Sequence, residues 1–435
     1  MRDPVTDLDR RGRLIFAGAL LFALFHALLY AATIPEWDLF DEEQHLSYAL
    51  YLADEQRIPR VDDPVQRRVL ENAIAVDRWS TFRIDRPNFL DPDGFGLEGL
   101  SYEGYQPPLY YALIAPLTWL PGDDAWWELH LARAFGALLL LAFGGIVWGY
   151  ARDWLPEAHP AVWGAIVAAT VAVPSAAAAA GRVSNDLLAG LLLAAGTLMA
   201  SRLLEERRID QAVFLGLLGA AAVLTKGHGA VLLLVTVAAL GLLLYRGQLT
   251  PVIFAAALGP GVAALVGWGL WTEARYGTFN GSNAFLDLVV PFDALGPFGF
   301  LEELWFNAWS SYWGAYDGGW LRWITGMLWL GIGIAGLAGL LTGRGGWTRT
   351  VEGRQRLLLA GALALGLLAA LWAANSSGLA HPHGRMLIGI FPVLVTLAAA
   401  GLRRLGGDIL ALQVGVAAVA LSGVYYLTWF LPFFY

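Results

Sequence analysis

Apolar stretches of about 20 residues recur along the whole chain, and no other feature narrows its fold as far. A bilayer core about 30 Å thick takes about 20 residues of helix to cross. Inside it every backbone N–H and C=O must be paired within the protein, so runs of this length read as helices. They lie at 14–34, 130–150, 161–180, 186–204, 211–225, 228–245, 250–271, 321–342, 355–375, 384–402 and 408–430. The expected fold class is therefore an all-α polytopic membrane protein of about eleven transmembrane helices, one integral-membrane domain over 1–435. Only 15% of the residues are charged, against about 25% in soluble domains.

Orientation follows from the arginines. Arg2, Arg10, Arg11 and Arg13 precede the first apolar run, which is longer than the 7–15 apolar residues typical of a cleaved signal peptide. It reads as an uncleaved anchor with a cytoplasmic N-terminus. Alternate connections then carry Arg152; Arg202, Arg207 and Arg208; Arg246; Arg344, Arg349, Arg354 and Arg356; and Arg403 and Arg404. All of these fall inside if 106–120, too short to span, is a re-entrant or interfacial helix. The external connections become 35–130, 181–185, 226–227, 272–320 and 376–383. The first is large enough for interfacial helices, and neither it nor 272–320 reads as a soluble domain. Glycines at 331, 333, 336 and 339 suit close helix packing. The chain has no cysteine, which excludes disulfides and thiolate metal sites. No basic cluster is large enough for a nucleic-acid backbone.

The residues that break the apolar pattern gather on the external face. The window 37–108 opens with Asp41-Glu42-Glu43-Gln44-His45 and closes with Glu103-Gly104-Tyr105-Gln106-Pro107-Pro108. If 39–52 is an amphipathic interfacial helix, Asp41 and His45 share a face at i,i+4. Acids beside a low-dielectric slab are costly without a task or a partner, and a carboxylate here can serve as a general base. Asp41 is equally placed to be a plain helix N-cap, with Glu42 and Glu43 favouring the helix dipole. Glu103 and Gln106 lie before a Pro-Pro helix start and would face the same pocket.

Arg182 and Asp186 flank the short turn at 181–185. Lys226 is the one lysine among 28 basic residues. An arginine would snorkel equally well there, whereas a compact ammonium beside glycines suits a phosphate oxygen. Arg385 suits bidentate phosphate contact. His381 and His383 at i,i+2 lack a third metal ligand in sequence. Tyr312 and Trp313 offer aromatic faces for a sugar ring or for the membrane interface.

Several short motifs resemble the GT-C superfamily of membrane glycosyltransferases, which use polyprenyl-phosphate sugars and include protein O-mannosyltransferases and lipid A aminoarabinose transferases. The motifs are Phe40-Asp41-Glu42-Glu43-Gln44-His45, Gln106-Pro107-Pro108-Leu109-Tyr110, Ser184-Asn185-Asp186 and Leu224-Thr225-Lys226-Gly227, with Ser311-Tyr312-Trp313-Gly314 and Gly384-Arg385 resembling a bacterial subset. The first four follow the family's order over the N-terminal half. The resemblance implies a GT-C fold and makes Asp41 the catalytic acid, with Glu42 beside it. It makes Asp186 the second acid, and Lys226, Arg385 and Arg182 the donor-phosphate contacts. Pocket roles fall to His45, Glu103, Gln106, Tyr312, Trp313 and His383. Gln106 departs from the Lys or His of many members, and the large lumenal insert of protein O-mannosyltransferases is missing.

The implied reaction is inverting sugar transfer from a polyprenyl-phosphate donor to a glycan, lipid or protein acceptor outside the cytoplasmic membrane. No cofactor is required by the sequence, and a divalent metal stays open. A lipid or sugar transporter or flippase is the main rival, predicting an internal repeat and charges near helix centres; neither is evident. A non-catalytic envelope-polysaccharide assembly protein of the same fold is a second rival.

Overall fold

In a computed structural model of the protein, residues 4–37, 41–76, 99–120, 122–288, 293–309, 319–342, 349–379 and 383–434 are described. Among them the structure is helical, with one isolated antiparallel bridge between Pro64 and Leu100. The first apolar run forms α1 (Pro4–Thr33). The polar window folds into α2 (Glu42–Asp54), α3 (Arg67–Ala75), a 3-10 turn at Tyr102–Tyr105 and α4 (Leu109–Thr118). There follow α5 (Ala125–Trp154), α6 (Pro160–Val171), α7 (Pro174–Ala180), α8 (Asp186–Glu206), α9 (Ile209–Val223), α10 (Val231–Tyr245) and α11 (Pro251–Tyr276). The second loop carries the short α12 (Ser282–Leu286) and α13 (Pro297–Glu303). The chain ends with α14 (Gly319–Thr342), α15 (Val351–Ser376), and α16 (Phe391–Tyr425), which a 3-10 turn at Gly384–Ile390 introduces.

Among the described residues, eight helices are long and apolar enough to cross a membrane, or nine if α6 and α7, bent by 69° at Ala172–Val173, form one crossing. The expected eleven is not confirmed. The shortfall has two physical sources. Helix α9, at 15 residues, is only about 22 Å long, short of the hydrocarbon thickness. The stretch Gly384–Phe434 is counted once although its 51 residues would extend about 77 Å. It breaks at Gly406 and Gly407, whose backbone is not helical. Residues before the break run beside α14, Phe391 against Trp329 and Gly401 against Gly336. Residues after it run beside α6, Asp408 accepting from the His159 N–H at 2.7 Å and Gly415 against Ala165. Since Arg385 and Tyr426 both lie at the Asp186 end of the bundle and Asp408 at the opposite end, the chain reverses at the glycine pair.

Two polar ends define the bundle. At one, Arg202 pairs with Asp153 at 2.7 Å and Arg356 with Glu205 at 2.8 Å, tying together α5, α8 and the start of α15. At the other lie the beginning of α8, the turn before α10, the turn before α16, and the polar window. Helices α14 and α16 cross so closely that a Cβ at Gly401 would meet the Gly336 carbonyl oxygen at 1.7 Å, the backbone-to-backbone approach that small residues permit. On the window side, α1 is clasped by the π-helical turn Tyr426–Phe430: Tyr30 packs on Tyr426 and Phe430, and the Thr33 and Tyr426 hydroxyls are hydrogen-bonded.

Two expectations about the window need correction. Helix α2 starts at Glu42, and 11 of its 13 residues are buried, so it is packed into the protein instead of lying amphipathically along the interface. Helix α4 is 10 residues long with Pro116 inside it, too short to span, as expected of 106–120. Its first N–H donates to the Leu224 carbonyl at 2.8 Å, which pins the Gln106-Pro107-Pro108 segment to the end of α9.

Candidate active site

The centre of the site is Asp186, the first residue of α8, whose side chain is 1% exposed. Three cations converge on it from separate parts of the chain. Lys226 Nζ donates to Asp186 Oδ1 at 2.5 Å and to Asn185 Oδ1 at 2.8 Å. Arg182 Nη2 reaches Oδ2 at 3.3 Å, and Arg385 Nη1 lies 3.8 Å from the same oxygen. The Ser184 hydroxyl also donates to Oδ2 at 3.1 Å. A carboxylate this deeply buried is costly unless paired, and the three cations pair it.

Local geometry delivers each cation. Lys226 projects from the extended residue between α9 and the 3-10 turn Gly227–Ala230. That turn folds back so tightly that a Cβ at Gly229 would meet the Ala222 carbonyl oxygen at 2.0 Å, so only glycine fits. Asn185, fully buried, bridges the elements by donating to the Thr225 carbonyl at 3.3 Å while accepting from Lys226. Arg385 comes from the turn before α16.

Asp41 precedes α2 in the left-handed region, with φ 66° and ψ 17°. For a residue other than glycine this costs on the order of 1–3 kcal/mol, and such strain gathers at functional sites. Its side chain makes no cap hydrogen bond to the helix, which sets the plain N-cap reading aside. Asp41 Oδ1 instead accepts from the Tyr102 hydroxyl. Burial, and next the Asp41 charge, raise the Tyr102 phenol well above its ordinary range.

His45 lies one turn on, 3% exposed, its Nδ1 hydrogen-bonded to the Tyr111 hydroxyl at 2.9 Å. Burial lowers its pKa to about 3, so it is neutral. Glu103, on the 3-10 turn, is 8% exposed. Burial and then the Asp41 charge push its carboxyl up to about 8, against the opposing pull of Lys226 and Arg385. That Glu103 and His45 both feel Asp41, Asp186, Lys226 and Arg385 places these groups in one electrostatic neighbourhood.

The structure separates Glu42 from this group. Its carboxylate accepts from Arg133 Nε at 2.9 Å and Nη2 at 2.7 Å, and from the Val183 N–H at 2.8 Å. It is fully buried, and it joins the start of α2 to α5 and to the turn before α8. The left-handed turn at Asp41 sends the adjacent carboxylates in different directions. Both Glu42 oxygens are thus taken up by Arg133 and the Val183 N–H. Gln106, 8% exposed, accepts from the Tyr48 hydroxyl at 3.0 Å through its backbone carbonyl and donates from its side-chain amide to the Tyr105 hydroxyl at 3.2 Å. His383 lies two residues before Arg385, and burial lowers its pKa to about 3. Tyr312, Trp313 and His381 lie outside the described residues.

Sequence reasoning missed Tyr102, Tyr111 and Arg133. An arginine within an apolar helix is itself a signal, because it must find a partner; Arg133 finds Glu42 and the carbonyls of Ile34 and Pro35. Nothing in the sequence distinguishes Tyr102 or Tyr111 from the other tyrosines.

The helical body has a fold similar to that of two solved membrane-protein structures. The likeness is to the crystal structures of ArnT from Cupriavidus metallidurans. With the protein bound to undecaprenyl phosphate, the TM-score is 0.54 at 17% identity, over 95% of this chain and 64% of that one. With the apo protein it is 0.53 at 17% identity, over 94% and 64%. The chain thus spans about two thirds of the length of the proteins it matches. No family model matches the sequence, and no curated protein matches it.

Proposed function

We propose that this protein transfers a sugar from a polyprenyl-phosphate donor to an acceptor with inversion at the anomeric carbon, on the external face of the cytoplasmic membrane. The observation that carries the reading is the convergence of Lys226, Arg182 and Arg385 on buried Asp186, beside the strained Asp41. Three cations around one carboxylate suit a phosphate that shares them, and undecaprenyl phosphate is the ligand of the ArnT structure whose fold this chain shares. The arginine distribution along the sequence supports the external placement.

In this reading the acceptor oxygen attacks the anomeric carbon opposite the phosphate. The bond from that carbon to the phosphate oxygen breaks, and its electron pair leaves with the lipid phosphate. Asp41 takes the acceptor proton. Lys226 and Arg385 stabilise the charge that grows on the phosphate, and the protein dipoles are already oriented for it. The leaving group is a good one, so no strong general acid is needed. Asp186 holds the cations in place and keeps them from repelling one another before the donor arrives.

The test is Asp41→Asn, assayed with a polyprenyl-phosphate sugar in detergent or liposomes. Transfer should fall by about 10²–10⁴-fold while lipid-phosphate binding survives. Full activity in this variant overturns the assignment.

A further inference from the structure

Asp41, His45 and Glu103 each bring one ligand atom to a common point, all within 4.8 Å of one another. We infer that these three side chains form a divalent transition-cation site, taking Zn²⁺ or Mn²⁺, in the electrostatic neighbourhood of the Lys226–Asp186 cluster. The inference deepens the transfer reading and rests on it only for the use made of the cation; the binding itself is a separate matter.

The donor set fits such an ion. One imidazole nitrogen and two carboxylate oxygens are the ligands that Zn²⁺ and Mn²⁺ accept, and three protein ligands with an open fourth position is the pattern of catalytic rather than structural sites. Bonds of about 2.1 Å in a tetrahedron put ligand atoms about 3.4 Å apart, which small side-chain rotations reach from the observed spacing. The hydrogen bond between Tyr111 and His45 Nδ1 at 2.9 Å holds the ring from behind. With Nδ1 as the donor, Nε2 keeps its lone pair for a ligand, the arrangement usual behind a metal-binding histidine. Tyr102 orients Asp41 in the same manner by donating to Oδ1.

A second observation is independent of the spacing. Glu103 is 8% exposed, and its Oε2 is buried with no hydrogen-bond partner among the described residues. A buried carboxylate oxygen left unpaired is costly, and its neighbours in the cluster are another carboxylate and an imidazole. A cation between them satisfies all three. It also accounts for two acids being placed together.

Bound there, the ion would offer its open positions to a donor phosphate oxygen or to the acceptor hydroxyl, adding positive charge beside the reacting groups.

The experiment uses the full-length protein, purified in detergent, stripped with chelator and titrated with Mn²⁺. Free Mn²⁺ is read by electron paramagnetic resonance, and bound Mn²⁺ by spin-echo detection of an imidazole ¹⁴N coupling. The expected result is about one Mn²⁺ per chain with a nitrogen coupling. Glu103→Gln and His45→Gln should each weaken binding at least 10-fold, and Arg208→Gln, at the opposite end of the bundle, should leave it unchanged. No stoichiometric binding by the wild-type protein, a bound ion without nitrogen coupling, or unchanged affinity in both variants would overturn the site. The wild-type spectrum decides even where a variant fails to fold. Sugar transfer that persists in fully stripped protein overturns the cation's part in the reaction and leaves the transfer reading intact. Binding with no sugar transfer at all keeps the site and removes the transfer reading.

Discussion

Lys226 and Asp186, 40 residues apart in sequence, meet Nζ to Oδ1 at 2.5 Å. The pair sits at the point where two helix ends face each other, so the ammonium has a fixed place before any donor arrives. Lys226→Ala should raise the KM for a polyprenyl-phosphate sugar by about 10- to 100-fold, the worth of one hydrogen bond to a charged group. Lys226→Arg should restore only part, because a planar fork does not replace a point charge in this turn. Steady-state kinetics against donor concentration make the comparison, and an unchanged KM in the alanine variant rules out a phosphate role.

The buried Glu42–Arg133 pair gives a prediction about stability. Removing one partner leaves an uncompensated charge and costs about 3–5 kcal/mol, whereas replacing both with apolar groups is often neutral. Glu42→Gln and Arg133→Met should each lower the thermal midpoint in detergent, and the double replacement Glu42→Leu with Arg133→Met should recover only part of the loss, because the Val183 N–H and the Ile34 and Pro35 carbonyls lose their partners. Two single variants as stable as the wild type would show that the pair does not hold α2 to α5.

His383 supplies a pH dependence. Its pKa is lowered from 6.5 to about 3 by burial first, then by Arg385, Arg182 and Lys226, with Asp186 pulling the other way. The folded state therefore disfavours the protonated ring. The stability that this neutral ring contributes is present above pH 6.5 and is lost as pH falls from there toward 3. Thermal midpoints measured between pH 7.5 and 5 should fall for the wild type and fall less for His383→Gln. Parallel curves would refute the assignment.

Topology gives the last prediction. The Arg202–Asp153 end of α8 and the Lys226 turn belong to opposite polar ends of the bundle. Reporters fused after Arg208 and after Lys226 should report opposite sides of the membrane, with the Lys226 fusion external. If both report one side, α9 does not cross and the proposed facing of the site is lost.

The parts of this fold that read directly from the sequence are those set by hydropathy over long stretches. The apolar runs at 186–204, 250–271 and 355–375 are helices in the structure, and the break between 402 and 408 falls at Gly406 and Gly407. Asp186, Lys226 and Arg385 were brought to one face by the arginine pattern alone, because alternation across a membrane converts sequence order into sidedness. What could not be read depends on single dihedral angles or on distant partners. The left-handed turn at Asp41 precedes Glu42, which pairs with Arg133, whereas the family resemblance had set Glu42 beside Asp41 at the catalytic centre. The burial of α2 required knowing that α4 and α5 pack over it. The hydroxyls of Tyr102 and Tyr111 matter only because of what they touch.

The clasp between Tyr426 and Thr33 has a consequence for biogenesis. Thr33 and Tyr426 are 393 residues apart in sequence, so until the later segment is made the face around Tyr30 and Thr33 lacks its Tyr426 and Phe430 neighbours. The insertion machinery, or lipid, must shelter that face until the closing turn arrives. A chain arrested before residue 426 would then expose a polar hydroxyl and an aromatic notch inside the bilayer, a mark by which membrane quality control could tell an unfinished bundle from a closed one.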